Sequence, residues 1–179
     1  MITVQLAGGL GNQMFQYAFG RALEESAKGA GNPIEIIFDT TAYTNPDKKD
    51  TLRPYLLPVL NTHASVASDK IALRTRDPYG IISKILRRVT AKFKPENSGY
   101  FDSSLLRPPY KNYYEGYWQS EKYFLPITEQ IRQEFTLRHP MGQPAKVMHE
   151  KIISDPNAVS IFYRRTDYVG HPTFDIGEQ

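Results

Sequence analysis

The sequence predicts an α/β fold built on a parallel sheet. An apolar run at 2–6 is followed at once by a glycine-rich turn at 7–11, then a helical pattern, then a second apolar run at 34–38. That β–turn–α–β order is the usual opening of a parallel layer covered by helices. A third observation far down the chain has the same form. The apolar run 158–163 leads straight into two adjacent arginines, Arg164 and Arg165. Cationic groups at the carboxyl end of a strand are how such folds hold anionic, often phosphorylated, ligands.

Each element has a local reason. Residues 2–6 are strand-like. The helix spans about 12–28, with Met14, Phe15, Ala18, Ala22 and Leu23 near one face, and it ends at Gly29-Ala30-Gly31. The run 34–38 is apolar except for Glu35, so it reads as a buried strand. Residues 45–50 are polar and turn-rich, and Pro54 and Pro58 leave 51–60 irregular. Helices are predicted at about 65–74 and 79–93, followed by a break at 95–99. A strand is predicted at 113–118, and Ser120 could cap a helix reaching about Phe135. Another helix is predicted at about 145–153, then a turn at Asp155-Pro156-Asn157, then the final strand 158–163. No internal repeat or low-complexity segment interrupts this series.

Composition narrows the function classes. The 179 residues suffice for one domain, or one domain and part of another, and 40% hydrophobic content can bury a core. With no cysteine there is no disulfide framework, thiolate nucleophile or thiolate metal site. No apolar run approaches the roughly 20 residues that span a bilayer. The strand-like start lacks a basic leader, so no signal peptide is expected. A cytoplasmic protein, at most peripheral to a membrane, is the resulting expectation.

The net charge of +3 is uneven: residues 70–94 hold eight basic side chains against one acidic, Asp77. Within them, Ile81, Ile82, Ile85, Leu86, Val89 and Phe93 lie near one helical face, and Lys84, Arg87, Arg88 and Lys92 near the other. Such a helix can touch anionic lipid weakly. Core packing with a solvated basic face is the plainer explanation. Nucleic-acid binding has no motif behind it.

The turn Gly8-Gly9-Leu10-Gly11 lets backbone N–H groups approach a ligand, and the helix N-terminus behind it favours negative charge. Its spacing fits neither common nucleotide motif. Counting from Gly9, the sixth position of G-x-G-x-x-G is Met14, and no Gly-Lys-Ser/Thr follows Gly11. The same glycines would also suit a tight turn that binds nothing. Asn12 and Gln13 add two amides that can donate to hydroxyls or phosphate, and Asn12 is also a good N-cap.

On a strand, Arg164 and Arg165 face opposite sides. One can grip phosphate in the planar, bidentate manner for which Arg is preferred, while the other pairs with Asp167 or a neighbouring loop. A surface ion-pair cluster is the plainer alternative.

Three segments in order, GGLGNQMFQYA at 8–18, GYWQSEKYF at 116–124 and VSIFYRRTDYV at 159–169, resemble the α-1,2-fucosyltransferases of bacterial surface-polysaccharide pathways. The third matches that family's H-x-R-R-x-D-Y box, with Phe162 where the family has histidine. Its R-R-T-D core also resembles the box of α-1,6- and protein O-fucosyltransferases.

The resemblance implies a two-lobed, GT-B-type fold of Rossmann-like halves. Residues 1–156 would form the acceptor-side α/β domain, and 157–179 the first strand and turn of a donor-binding domain that is largely absent. It implies transfer of L-fucose from GDP-β-L-fucose to a sugar hydroxyl, typically the 2-OH of a galactoside, with inversion. Arg164, Arg165 and Asp167 would be the catalytic group, an arginine steadying the leaving GDP. Gly9, Gly11, Asn12, Gln13, Arg164 and Tyr168 would bind the donor, with Asn12 near the fucose or the phosphate.

No Asp-x-Asp occurs, so no metal or other cofactor is expected beyond the donor substrate. His171 and Asp175 are the downstream candidates for a base. A carbohydrate- or phosphate-binding module without catalysis is the alternative function. Tyr110, Tyr113, Tyr114, Tyr117 and Trp118 could stack on sugars, though alternation puts about half in the core. His63, His139 and His149 lack metal-ligand spacing.

Overall fold

The computed structural model describes residues 1–44, 53–67 and 100–161, together with the backbone of 93–95. The chain separates into two compact units, Met1–His139 and Pro140–Gln179.

In the first unit, strands β1 (Ile2–Gln5), β2 (Ile36–Asp39), β3 (Phe93–Pro95) and β4 (Tyr113–Glu115) form one sheet. Every pairing is parallel and the order is β2-β1-β4-β3. Between β1 and β2 runs helix α1, Leu10–Gly29. The predicted opening of the fold is therefore present, with β1 ending one residue early and β2 beginning two residues late.

Register sorts the strand residues onto two faces. Ile2 pairs with Ile36 and Val4 with both Phe38 and Tyr114, so these side chains share one face. With Leu6 they join the main core, which also holds Tyr17, Phe19 and Leu23 of α1. Gly20 allows α1 to lie close on this face: a Cβ there would stand 2.9 Å from the Phe38 ring. The other face carries Thr3, Gln5, Ile37, Asp39 and Tyr113, all buried. There the Tyr113 hydroxyl donates to Asp39 Oδ2 at 2.6 Å, joining β4 to β2 across β1.

Several expectations are corrected. Residues 65–67 are extended rather than helical. Phe38 N donates to Ser65 O and Ala67 N to Phe38 O, both at 2.8 Å, which adds one bridge at the β2 edge. The rest of the predicted helix 65–74, and the basic stretch up to residue 92, lie outside the described residues. Phe93 opens a strand, so the predicted helix does not reach it, and Pro95 closes that strand instead of breaking the chain. Proline is tolerated there because β3 is the edge of the sheet.

The predicted helix 120–135 is cut into pieces. Glu121–Tyr123 and Leu125–Ile127 are single 3₁₀ turns, and α3 spans only Thr128–Glu134. Pro126 is the reason, since it offers no N–H for a continuous helix. Ser120 sits at the N-cap position of the first turn without a side-chain capping bond. Between β2 and the bridge at Val66 lies the short helix α2, Thr41–Thr44.

In the second unit, α4 spans Gln143–Ile153, with Pro144 in its first turn. The predicted turn follows it: Asn157 N donates to Asp155 Oδ1 at 2.9 Å. Residues 158–161 form no strand, and the remainder of the predicted 158–163 strand lies outside the described residues. No described helix is long and apolar enough to cross a membrane.

Candidate functional site at the carboxyl edge of the sheet

In a parallel sheet, chemistry collects where strands end and the connections diverge. Here β1 leads into the glycine turn, β2 into α2, and β4 into Gly116–Gln119. Three features bring these exits together.

Gly8 supplies the sharp turn. Its φ is +79°, a region that L side chains rarely adopt. An added Cβ would also stand 2.5 Å from Asn12 Nδ2, so Asn12 folds back over the turn. Gly9 is the N-cap, with φ −74° and ψ 174°, which corrects the expectation of Asn12 at that position. Asn12 lies in the first turn, and its Oδ1 accepts from Gln119 Nε2 at 2.7 Å. A polar pair thus bridges the exits of β1 and β4 at the surface. A Cβ on Gly9 or Gly11 would meet nothing within 4 Å, so neither glycine is required by packing.

Gln13 and Gln16 hold the turn from beneath. Gln13 is fully buried. Its Nε2 donates to Gly8 O and Pro54 O, both at 3.0 Å, and its Oε1 accepts from Leu56 N at 2.9 Å and Leu57 N at 3.0 Å. Both ends of the amide are engaged by the chain. Gln16 Oε1 accepts from Ala7 N at 2.9 Å while its Nε2 donates to Gly116 O at 2.9 Å, tying the end of β1 to the end of β4.

Tyrosines flank the turn. Tyr43 donates to Gly8 O at 3.2 Å, and its ring lies 5.6 Å from that of Tyr55. Burial, then the neighbouring Tyr55, pushes the Tyr43 phenol up. Burial also raises Tyr55, against the pull of the nearby Arg138 charge. Thr41 Oγ1, at the exit of β2, is buried without a hydrogen-bond partner among the described residues. Asp39 is fully buried, accepting from Thr41 N at 2.8 Å as well as from Tyr113.

The aromatic residues in and around β4 do not divide by simple alternation, because both faces of the strand are buried and β4 ends at Glu115. Tyr113, Tyr114 and Trp118 are buried, Tyr110 is half-buried, and Tyr117 is 46% exposed. Trp118 stacks on Phe19 with centroids 4.5 Å apart. Its φ of +53° is an unusual backbone state for a bulky residue, held by that packing. The anchored Trp118 leaves its neighbours Tyr117 and Gln119 exposed beside the turn.

Of the sequence-predicted residues, the structure brings Gly9, Gly11 and Asn12 to this edge and puts Gln13 beneath it. Arg164, Arg165, Asp167, Tyr168, His171 and Asp175 lie outside the described residues. His63, His139 and His149 are exposed. Sequence reading missed Gln16, Asp39, Tyr43 and Gln119. Position just past a predicted strand end was the available signal for Gln119. Among the described residues, no group of three or more His, Asp or Glu could hold a metal ion.

Over 173 residues, 96% of its length, the chain is 31% identical to the alpha-1,2-colitosyltransferase of Escherichia coli. The match covers 56% of that protein, so the chain spans about half the length of this curated relative. No protein-family model matches the chain, and no solved structure matches it significantly.

Proposed function

We propose that the chain is the acceptor-side half of a glycosyltransferase that moves a deoxy sugar from a nucleotide-sugar donor to a glycan hydroxyl. The observation that carries this reading is the 31% identity to an alpha-1,2-colitosyltransferase, which extends over 96% of the chain. The glycine turn, the Asn12–Gln119 pair and the exposed Tyr117, gathered at the carboxyl edge of a parallel sheet, support it. In this reading residues 1–156 form one Rossmann-like lobe of a GT-B-type enzyme, and 157–179 begin the donor lobe.

The sugar is L-fucose or a close analogue, carried by GDP. Colitose is L-fucose without its 3-hydroxyl, so the two donors differ by one hydrogen-bonding group. A site that engages this hydroxyl rejects the analogue lacking it far more strongly than an apolar pocket could. The acceptor is the 2-OH of a galactoside. One displacement breaks the bond between the anomeric carbon and the diphosphate oxygen as the acceptor oxygen bonds to that carbon, inverting it. The acceptor proton passes to a base, with His171 and Asp175 as candidates.

Arg164 or Arg165 neutralises the charge growing on the leaving GDP, and Asp167 orients the arginine. Gly9, Gly11 and Tyr168 line the donor, Asn12 donates to it, and Gln13 positions the turn from below. No metal takes part, and a weak peripheral membrane contact would bring the enzyme to a lipid-linked acceptor.

The roles of the arginines are tested by fucose transfer to a galactoside in Arg164→Ala and Arg165→Ala. Loss of about 100-fold or more in kcat is expected from whichever arginine holds the diphosphate. Unchanged kcat in both variants would refute the assignment.

A further inference from the structure

A second recess lies away from the glycine turn, in the first unit. It is an open depression of about 370 Å³ lined by Asn61, Thr62, His63, Gln133, Glu134 and Arg138, with Gln130 alongside. That volume is in the range of small-ligand sites. Its walls are fixed by pairing. Leu60 and Leu137 form an antiparallel bridge, Asn61 N donates to Thr136 O at 2.9 Å, and Arg138 N donates to Val59 O at 2.9 Å.

The floor is a closed polar cluster. Glu134 accepts from Tyr17 Oη at 2.6 Å, from Gln130 Nε2 at 2.9 Å, and from Arg21 Nη2 at 3.1 Å and Nε at 3.2 Å. That carboxylate is satisfied by the protein. Other lining groups are not. Among the described residues, the Gln133 amide and the His63 imidazole make no side-chain hydrogen bond. The Asn61 amide donates through Nδ2 to Thr136 and Leu137 but keeps its oxygen open. Arg138 gives one N–H to Thr62 O at 3.0 Å and has no acidic partner among the described residues.

The open groups are a mixture of donors and acceptors. Hydroxyls both donate and accept, so a sugar ring fits this set. A phosphate would use donors alone, and a cation would need more carboxylates than Glu134. The recess is also connected to the glycine turn. The segment 54–62 runs from one to the other: Leu56 N and Leu57 N donate to Gln13 Oε1 beneath the turn, and Val59 O accepts from Arg138 N at the recess. The half-buried Tyr55 on that segment offers a glycan an apolar face with a polar tip.

We propose that this recess is a second sugar subsite, which takes the neighbouring residue of an extended acceptor whose reacting sugar lies at the carboxyl edge of the sheet. The proposal rests on the glycosyltransferase reading. It makes Gln133 and Arg138 determinants of acceptor length, not of the transfer step.

The experiment is a titration of the protein with two probes, methyl β-D-galactoside and the disaccharide lactose, followed by NMR. The wild type and the Gln133→Ala, Arg138→Ala and Tyr117→Ala variants are compared. Lactose should bind about tenfold more tightly than the monosaccharide in the wild type, the gain of one or two good hydrogen bonds. Gln133→Ala and Arg138→Ala should remove that advantage and leave monosaccharide affinity in place, while Tyr117→Ala, beside the glycine turn, should weaken both sugars. Gln133 is exposed and forms no side-chain bond, so its variant keeps the test sharp if Arg138→Ala misfolds. Equal affinity for the two probes, or a lactose advantage that survives both recess variants, overturns the subsite. If the recess variants behave as expected and Tyr117→Ala changes nothing, the subsite stands and the acceptor site at the carboxyl edge fails.

Discussion

Replacing Gln13 with leucine separates a ligand-binding amide from a structural one. The side chain is fully buried and keeps roughly its volume, so packing changes little. Its hydrogen bonds do not survive. Leu57 N–H is left buried without a partner, at a cost of about 2 kcal/mol. Leu56 N–H, Pro54 O and Gly8 O each lose a part-buried bond, worth about 0.5–1 kcal/mol apiece. The sum is about 4 kcal/mol, which lowers the melting temperature of a domain this size by about 12 °C. Thermal unfolding followed by circular dichroism, with urea titration as a second readout, measures it. A loss below about 1 kcal/mol would mean that the chain does not hold this amide, and a direct role in donor binding would have to replace the positioning one.

Three further outcomes follow from the same contacts. Gly8→Ala should destabilise the turn by about 1–2 kcal/mol from its left-handed φ, with the Asn12 clash added, while Gly11→Ala should stabilise α1 by up to about 1 kcal/mol. If Gly11→Ala nonetheless weakens GDP-fucose binding in calorimetry, the loss belongs to the ligand; unchanged binding would remove Gly11 from the site. Burial acts to raise the Glu134 carboxyl, but hydrogen bonds from Tyr17, Gln130 and Arg21, together with the Arg21 charge, hold it below the usual carboxylate range. Its contribution to stability is therefore full above about pH 4.5 and is lost as pH falls through the lower folded value. Urea midpoints at pH 7 and pH 3 should fall more steeply for wild type than for Glu134→Gln, and parallel slopes would contradict the cluster.

The opening of the fold was legible because local chemistry and long-range packing agree there. Alternating apolar residues, three glycines and a helical period all point to β1, α1 and β2. Agreement failed elsewhere. The apolar spacing of 120–135 is helical, but Pro126 divides it, and only Thr128–Glu134 completes an α-helix. Phe93–Pro95 is too short and too proline-bound to announce a strand; it forms one because β4 offers an edge. Ser65–Ala67 looked helical from its neighbours, yet Phe38 draws it into the sheet.

The site divides in the same way. Gly8, Gly9, Gly11 and Asn12 form one run and were readable together. Gln16 acts on Gly116, and Glu134 on Tyr17 and Arg21, across a hundred residues or more. No local pattern announces such partners. Gln13 was visible as an amide beside the turn, but its burial and its four backbone partners were not.

The central claim is sugar transfer, and the linkage of a product tests it most directly. The two-lobed enzyme, with the donor-binding lobe included, is incubated with lactose and, separately, with GDP-L-fucose and GDP-colitose, and any trisaccharide is analysed by NMR. The account predicts an α-1,2-linked deoxy sugar on the galactose from at least one donor, with its formation abolished in Arg164→Ala or Arg165→Ala. Saturable binding of lactose with no trisaccharide from either donor would contradict it, and would assign the chain to carbohydrate binding without catalysis.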